Sequence, residues 1–241
     1  MHTEVISYEA DGLLMQSHLY IGDGQPRRPG ILVFPEAFGL SQHAKTQAQR
    51  LAELGYIALA CDLHGEGKLF ADLKSVSPIL ESLRSEPSHI RARAKGGLDA
   101  LVARPEVDAS RVAAIGFCFG GTMALELARG GNPVVGVVGF HSGLATVAPK
   151  DAHNIKGKVL VCIGADDPVI PLEQRIDFES EMRNGGVDWQ MDVYGGVMHS
   201  FTNPGADKSG LTHIARYNAQ AAARSWATMR AFFEEIFGET E

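Results

Sequence analysis

The sequence is poor in cysteine and tryptophan and has no long apolar run. Its 241 residues include three cysteines and two tryptophans. Three cysteines, an odd number in a chain this long, do not make a disulfide framework. No apolar run approaches the roughly 20 residues that a membrane-spanning helix needs. The first residues lack the basic and apolar regions of a signal peptide. We therefore expect a cytoplasmic protein in a reducing compartment, with no membrane partner.

An excess of positive charge is also absent. The chain has 22 lysines and arginines against 29 acidic residues, a net charge of −7, which argues against nucleic acid as a partner. Neither a His-Glu-x-x-His motif nor paired Cys-x-x-Cys motifs occur, so we expect no metal and no cofactor. The remaining composition, 45% hydrophobic and 21% charged, suits a single α/β domain over residues 1–241. The expected partner is a small-molecule substrate, and the composition leaves the oligomeric state open.

Short apolar segments alternate with amphipathic ones along most of the chain. The pattern predicts strands over residues 4–8, 13–20, 30–34, 56–61, 111–115, 133–140, 158–163 and 187–194. It predicts helices over residues 41–54 with Ser41 as a cap, 71–103 with breaks near Pro78 and Pro87, 122–129, 172–182 and about 214–237. This alternation is typical of a mostly parallel sheet flanked by helices, which binds ligands at the carboxyl ends of its strands.

One predicted turn carries a candidate nucleophile. Cys118 lies between a predicted strand and a predicted helix, with Gly116 two residues before it and Gly120 two residues after it. Glycines at this spacing allow the sharp strand-to-helix turn that exposes a nucleophile above the sheet edge. The alternative is a small buried hydrophobic residue, which is what most free cysteines are. The other two cysteines, Cys61 and Cys162, lie in apolar strands and are expected to be inert.

Acid and base partners follow later strands. Asp167 follows one strand and His199 the next, in the order nucleophile, acid, histidine. His199 would take the thiol proton and then activate water, and Asp167 would orient the imidazole; Asp166 is the main alternative for the acid. The backbone N–H groups of Ala37 and Phe119 would form an oxyanion hole.

Four motifs carry a resemblance to a known family: Pro35-Glu36-Ala37-Phe38-Gly39, Gly116-Phe117-Cys118-Phe119-Gly120-Gly121, Gly164-Ala165-Asp166-Asp167-Pro168-Val169-Ile170-Pro171 and His199-Ser200-Phe201. With these motifs the chain resembles the dienelactone hydrolase family from about residue 3 to residue 237. The resemblance implies an α/β-hydrolase fold with a Cys-His-Asp triad. It also implies hydrolysis of a carboxylic ester or lactone through a thioester on Cys118. The family's acid lies three residues before its Val/Ile-Pro pair, which selects Asp167.

The resemblance assigns further roles and also shows departures. By resemblance, Glu36 would contact the resting thiol and move away when substrate arrives. The arginine that grips a substrate carboxylate in dienelactone hydrolases is replaced by Asn203, and the family's Tyr-x-Arg by His64-Gly65-Glu66. A neutral ester or lactone is therefore as well expected as an anionic one. Candidate substrate-binding residues are His64, His141, Ser200, Phe201 and Asn203, of which the first two are more typical of pocket lining or backbone contacts.

Two other functions stay open at this point. The same triad could transfer an acyl group to an acceptor other than water, or act as a thioesterase. A non-catalytic binding or sensor module could also reuse the fold.

Overall fold

One eight-stranded sheet organises the computed structural model, which describes residues 1–24 and 26–238. The strands are β1 (His2–Ala10), β2 (Leu13–Ile21), β3 (Arg28–Phe34), β4 (Ile57–Ala60), β5 (Val107–Phe117), β6 (Gly136–Phe140), β7 (Lys158–Gly164) and β8 (Trp189–Tyr194). Their order is β1-β2-β4-β3-β5-β6-β7-β8. The strand β2 is antiparallel to both of its neighbours, and the remaining pairs are parallel. The mostly parallel sheet is as expected, and because one sheet holds every described strand we propose a single domain.

Six helices cover the two faces of the sheet. They are α1 (Gln42–Glu53), α2 (Leu73–Ser85), α3 (Pro87–Val102), α4 (Phe119–Arg129), α5 (Leu172–Gly185) and α6 (Ala219–Phe237). Side chains alternate along each strand, so Leu32 and Phe34 of β3 face the core under α2 to α5, and Ile31 and Val33 face the core under α1 and α6. In residues 1–24 and 26–238, every helix is too short or too polar to cross a membrane.

Several sequence-based expectations about the elements were wrong. The strand β5 runs over Val107–Phe117 instead of residues 111–115, β6 begins at Gly136 instead of residue 133, and α4 begins at Phe119 instead of residue 122. The last helix begins at Ala219 instead of near residue 214, because Asn218 caps it by accepting a hydrogen bond from the Ala221 N–H at 2.9 Å. Pro78 lies inside α2 and does not break it, since the helix continues to Ser85. The break comes only at Pro87. Ser41 precedes α1, but its side chain makes no capping hydrogen bond.

A buried arginine joins α4 to α5. The guanidinium of Arg129 is fully buried and donates to both carboxylate oxygens of Glu181, at 2.7 and 2.8 Å. It also donates to Glu126 at 3.0 Å and to the Leu144 carbonyl at 2.9 Å. Such a bidentate pair fixes the relative orientation of the two side chains in addition to pairing their charges. The network therefore holds the C-terminal end of α4, whose N-terminal end begins at the turn of Cys118.

We expect Glu181→Gln to lower the free energy of unfolding by about 3 kcal/mol, because it removes one of the two carboxylates that pair with the buried Arg129. Urea denaturation at constant pH measures the change. Glu179→Gln is a matched control in the same helix: Glu179 pairs with Arg183 at the surface, and its loss should cost less than about 1 kcal/mol. Equal losses in the two variants would contradict this interpretation.

Candidate active site

Cys118 occupies a strained turn between β5 and α4. Its φ and ψ are +54° and −118°, a conformation that costs free energy for a residue with a side chain. A Cβ on Gly116 would lie 2.0 Å from the Gly120 carbonyl oxygen, and a Cβ on Gly120 would lie 2.3 Å from that of Phe34. Both positions therefore require glycine. The turn leaves Cys118 half-buried, whereas Cys61 is buried.

His199 and Asp167 meet at the same edge of the sheet. Nδ1 of His199 lies 2.7 Å from Oδ2 of Asp167, and both side chains are buried. The other carboxylate oxygen of Asp167 accepts from the backbone N–H groups of Val169 at 2.8 Å and Ile170 at 3.3 Å. These bonds fix the carboxylate, which in turn orients the imidazole. The neighbouring Asp166 is exposed, and Asp167 is the aspartate that the structure brings to His199.

The electrostatics of His199 depend on both of its neighbours. Burial alone would lower the pKa of His199, but interaction with Cys118 and the hydrogen bond that His199 donates to Asp167 outweigh it. Together they raise the pKa from the ordinary 6.5 to about 10. The raised pKa favours the protonated imidazole, which lies between the Asp167 carboxylate and the side of the pocket that carries Cys118.

A mainly apolar pocket of about 410 Å³ opens beside Cys118 and His199. Its walls come from the loop after β3, from α2 and from the segment between β8 and α6. The apolar lining residues are Ala37, Phe38, Leu73, Leu80, Val169, Ala206, Leu211, Ile214 and Ala215. This pocket accommodates a small organic substrate at the thiol.

Glu36 is a buried carboxyl group in the wall of this pocket. It accepts a hydrogen bond from Nδ2 of Asn203 at 2.8 Å. Burial raises the pKa of Glu36, and the charge of His199 with the hydrogen bonds from Asn203 and Ser200 opposes the rise only in part. The described hydrogen bonds of Glu36 thus lead to the residues after His199, and Cys118 is not among its partners.

The proposed oxyanion-hole amides lie at the end of β3 and the start of α4. Within residues 1–24 and 26–238, the N–H groups of Ala37 and Phe119 have no hydrogen-bond acceptor. The carbonyl of Ala37 lies 2.8 Å from Nε2 of His64. The Asp62 carboxylate accepts backbone hydrogen bonds from His64 and Gly65, at 3.1 and 3.2 Å, which fixes the loop that carries His64. His64 therefore holds the backbone of Ala37 in place through the carbonyl group of that residue.

The five candidate substrate-binding residues separate into two groups. Ser200 and Asn203 line the pocket. His64 contacts the Ala37 backbone, whereas His141 and Phe201 are fully buried behind His199 and pack against each other with ring centroids 5.3 Å apart. These three lie outside the pocket lining, in contrast to the expectation that they bind substrate.

Sequence reasoning missed most of the pocket wall. Leu73 and Leu80 have the helical spacing of ordinary core residues, so nothing in the sequence marks them as pocket lining. The position of Arg84 in the predicted helical segment is typical of a solvated helix face. It is exposed, but it also lines the pocket, with Cζ 5.2 Å from the ring centroid of Phe119. In the part of the chain that the structure describes, no cluster of three His, Cys, Asp or Glu residues could hold a metal ion.

Comparison with known proteins finds several that are similar to this chain. A solved dienelactone hydrolase-like promiscuous phosphotriesterase from metagenomic libraries is 43% identical, with a TM-score of 0.92 over 98% of each chain. A second solved structure, named m3DLH, is 47% identical with a TM-score of 0.94, again over 98% of each chain. A protein of Methylorubrum extorquens named "Putative carboxymethylenebutenolidase" is 30% identical over 93% of this chain and 78% of its own length.

The sequence model of the dienelactone hydrolase family matches residues 15–237 of the chain. That match begins within β2 and covers β3 to β8 and α1 to α6 in full. The protein is therefore an α/β-hydrolase-fold enzyme that hydrolyses ester bonds, and it belongs to the dienelactone hydrolase family.

Proposed function

We propose that the enzyme hydrolyses small carboxylic esters or lactones through a covalent thioester on Cys118. The observation that supports this most is the position of His199, which lines the same pocket as Cys118 and is 2.7 Å from Asp167. A thiolate with an oriented imidazolium beside it is a nucleophile ready for acyl transfer. The substrate is a small molecule, and the cytoplasmic location stays a prediction.

In the first half of the proposed reaction, the Cys118 thiolate attacks the carbonyl carbon. The N–H groups of Ala37 and Phe119 donate to the oxyanion of the tetrahedral intermediate. The intermediate collapses as the carbon–oxygen ester bond breaks, and the His199 imidazolium gives its proton to the leaving oxygen. An alcohol leaves from an ester, whereas a lactone keeps its new hydroxyl on the acyl chain. His199 is then neutral and the acyl group is on sulfur.

In the second half, neutral His199 takes a proton from water and the resulting hydroxide attacks the thioester carbonyl. The same two N–H groups stabilise the second oxyanion. The carbon–sulfur bond breaks, which releases the carboxylic acid and restores the thiolate beside the imidazolium. Asp167 stays ionised and accepts the hydrogen bond from Nδ1 of His199. Nε2 is therefore the nitrogen that gives up a proton in the first half and takes one in the second.

The lining of the pocket favours a neutral substrate. Glu36 and Arg84 are the charged side chains of the wall besides the triad, and they have opposite signs. Asn203, at the family's arginine position, is neutral and donates its amide hydrogen bond to Glu36. The remaining surface is mainly apolar, which suits the uncharged acyl or alcohol part of an ester.

Replacing the proposed nucleophile tests this function directly. We expect Cys118→Ala to lower kcat for a small aryl ester by at least about 1,000-fold, because no thioester forms without the sulfur. Initial rates of phenol release measure the effect, and a thermal melt checks that the fold is retained. Cys61→Ala is the matched control, since Cys61 is buried away from the pocket and should keep its rate. Undiminished turnover in Cys118→Ala would refute the assignment, and ester products formed with added alcohols would indicate acyl transfer.

The raised pKa of His199 leads to a second prediction. Because the protonated form is favoured, the imidazole should remain charged at pH 8 and titrate near pH 10. In Cys118→Ala the main favourable contribution is removed while burial still opposes the charge, so the pKa should fall well below that of the wild type. NMR titration of the ring nitrogens measures both, with His199→Gln used to assign the signals. A wild-type imidazole that is neutral at pH 8 would contradict the proposed resting ion pair.

Charge at position 203 should control the choice between anionic and neutral esters. We expect Asn203→Arg to raise kcat/KM for an aryl hemisuccinate relative to the matching aryl butyrate by about tenfold, because a guanidinium attracts the substrate carboxylate. Asn203→Gln, which keeps a neutral amide, is the control and should leave the ratio unchanged. An unaltered ratio in Asn203→Arg would show that this side chain does not contact the substrate.

A further inference from the structure

A second histidine ring lies directly behind His199. The ring centroids of His141 and His199 are 5.2 Å apart, with an interplanar angle of 68°. His141 is fully buried, and its backbone has a φ of +41°, which is strained for a residue with a side chain. Its backbone N–H donates to the Cys162 carbonyl at 2.8 Å, which holds this strained residue at the end of β6.

The ring of His141 is held by a hydroxyl group from the loop of His199. Nε2 of His141 lies 2.8 Å from Oγ1 of Thr202, three residues after His199. The same hydroxyl lies 3.2 Å from Nε2 of His43, in α1. The ring of His43 is fixed in turn by an edge contact with Phe117, at a centroid distance of 4.8 Å. Three elements of the fold therefore meet at one hydroxyl.

The two histidines at this hydroxyl favour their neutral forms. The hydroxyl has one proton, so it can donate to the unprotonated nitrogen of one imidazole while it accepts from the N–H of the other. Burial lowers the pKa of His43 to about 4, and burial together with the nearby charge of His199 lowers the pKa of His141 well below 6.5. His141 therefore presents an uncharged ring to His199 and does not repel the imidazolium.

The backbone of the His199 loop is anchored separately. Its carbonyl groups accept from the N–H of Arg216 at 2.9 Å and, at Phe201, from the N–H of Asn218 at 3.0 Å. Those bonds place the main chain, and Asp167 holds one nitrogen of the imidazole. Rotation of the ring about that hydrogen bond is limited on the buried side by contact with His141.

We propose that His141 is a positioning residue for His199, held in place by the hydroxyl of Thr202 and, through it, by His43. The role rests on the proposed function of His199 as the proton carrier. In that function His199 gives up its proton and regains it within one turnover, while its Nε2 stays directed at the thiol and the pocket. A neutral ring fixed behind it maintains that direction in both charge states.

The test is a set of variants in Thr202 and His141, assayed with a neutral aryl ester. Thr202→Val keeps the shape and removes the hydroxyl, and His141→Phe keeps an aromatic ring and removes the nitrogen. Each should lower kcat about tenfold, a loss typical of misplaced catalytic groups, while KM changes by less than about twofold. Thr202→Ser retains the hydroxyl and should recover kcat to within about twofold of the wild type.

The double variant distinguishes a shared role from two structural defects. If Thr202 acts through His141, the combined Thr202→Val and His141→Phe variant should be no more than about twofold slower than His141→Phe alone. Losses that multiply, a loss in Thr202→Ser as large as in Thr202→Val, or a wild-type kcat in Thr202→Val would each overturn the proposal.

Two further variants keep the test decisive. If Thr202→Val does not fold by thermal melt, His43→Leu breaks the outer hydrogen bond and should lower kcat, whereas His43→Gln, which keeps a polar partner, should not. An equal kcat in those two variants would overturn the proposal.

His199→Gln should abolish turnover; if it does not, the proposed function itself fails. If His199→Gln is inactive and the other variants are unimpaired, only the positioning role fails.

Discussion

The imidazole of His199 is the group on which the whole site depends. It is hydrogen-bonded to a fixed carboxylate at 2.7 Å and lines the same pocket as the thiol that the turn of Cys118 raises from the sheet edge. Buried charge is costly unless it is paired, and here the pairing on both sides outweighs burial. The proposed chemistry needs this balance, because the same imidazole must release a proton to a leaving group and then take one from water.

The surrounding fold maintains strained backbone conformations near His199 and a buried ion-pair network at the far end of α4. Cys118, His141 and Ser200 all have positive φ angles, and all three lie around His199. Their conformations are maintained by glycines at the turn, by the sheet behind His141 and by the segment before α6. The buried Arg129 network holds the far end of α4, so the N-terminal end that carries the proposed oxyanion-hole amide is also fixed.

The sequence predicts the sheet and the neighbourhood of the site, because both depend on local patterns. Short apolar strands, glycines at fixed spacing around Cys118 and polar residues after strands are each readable over a few residues. The start of the last helix is wrong by five residues, because the capping role of Asn218 depends on how the preceding segment packs against His199. The pocket wall from α2 and the ring of His141 behind His199 depend on packing between distant segments, and no local pattern marks them. The exposed Arg84 looks like any solvated residue until the fold places it beside Phe119.

The most direct measurement of the central claim is the mass of the enzyme during turnover. A reaction with an aryl ester is quenched in acid within the first turnovers, and the protein is analysed intact and after proteolysis by mass spectrometry. The account predicts an added mass equal to the acyl group, located on the peptide that contains Cys118 and removed by mild base or hydroxylamine. An enzyme that turns over substrate with no acyl group on that peptide, or with the acyl group on another residue, would contradict it.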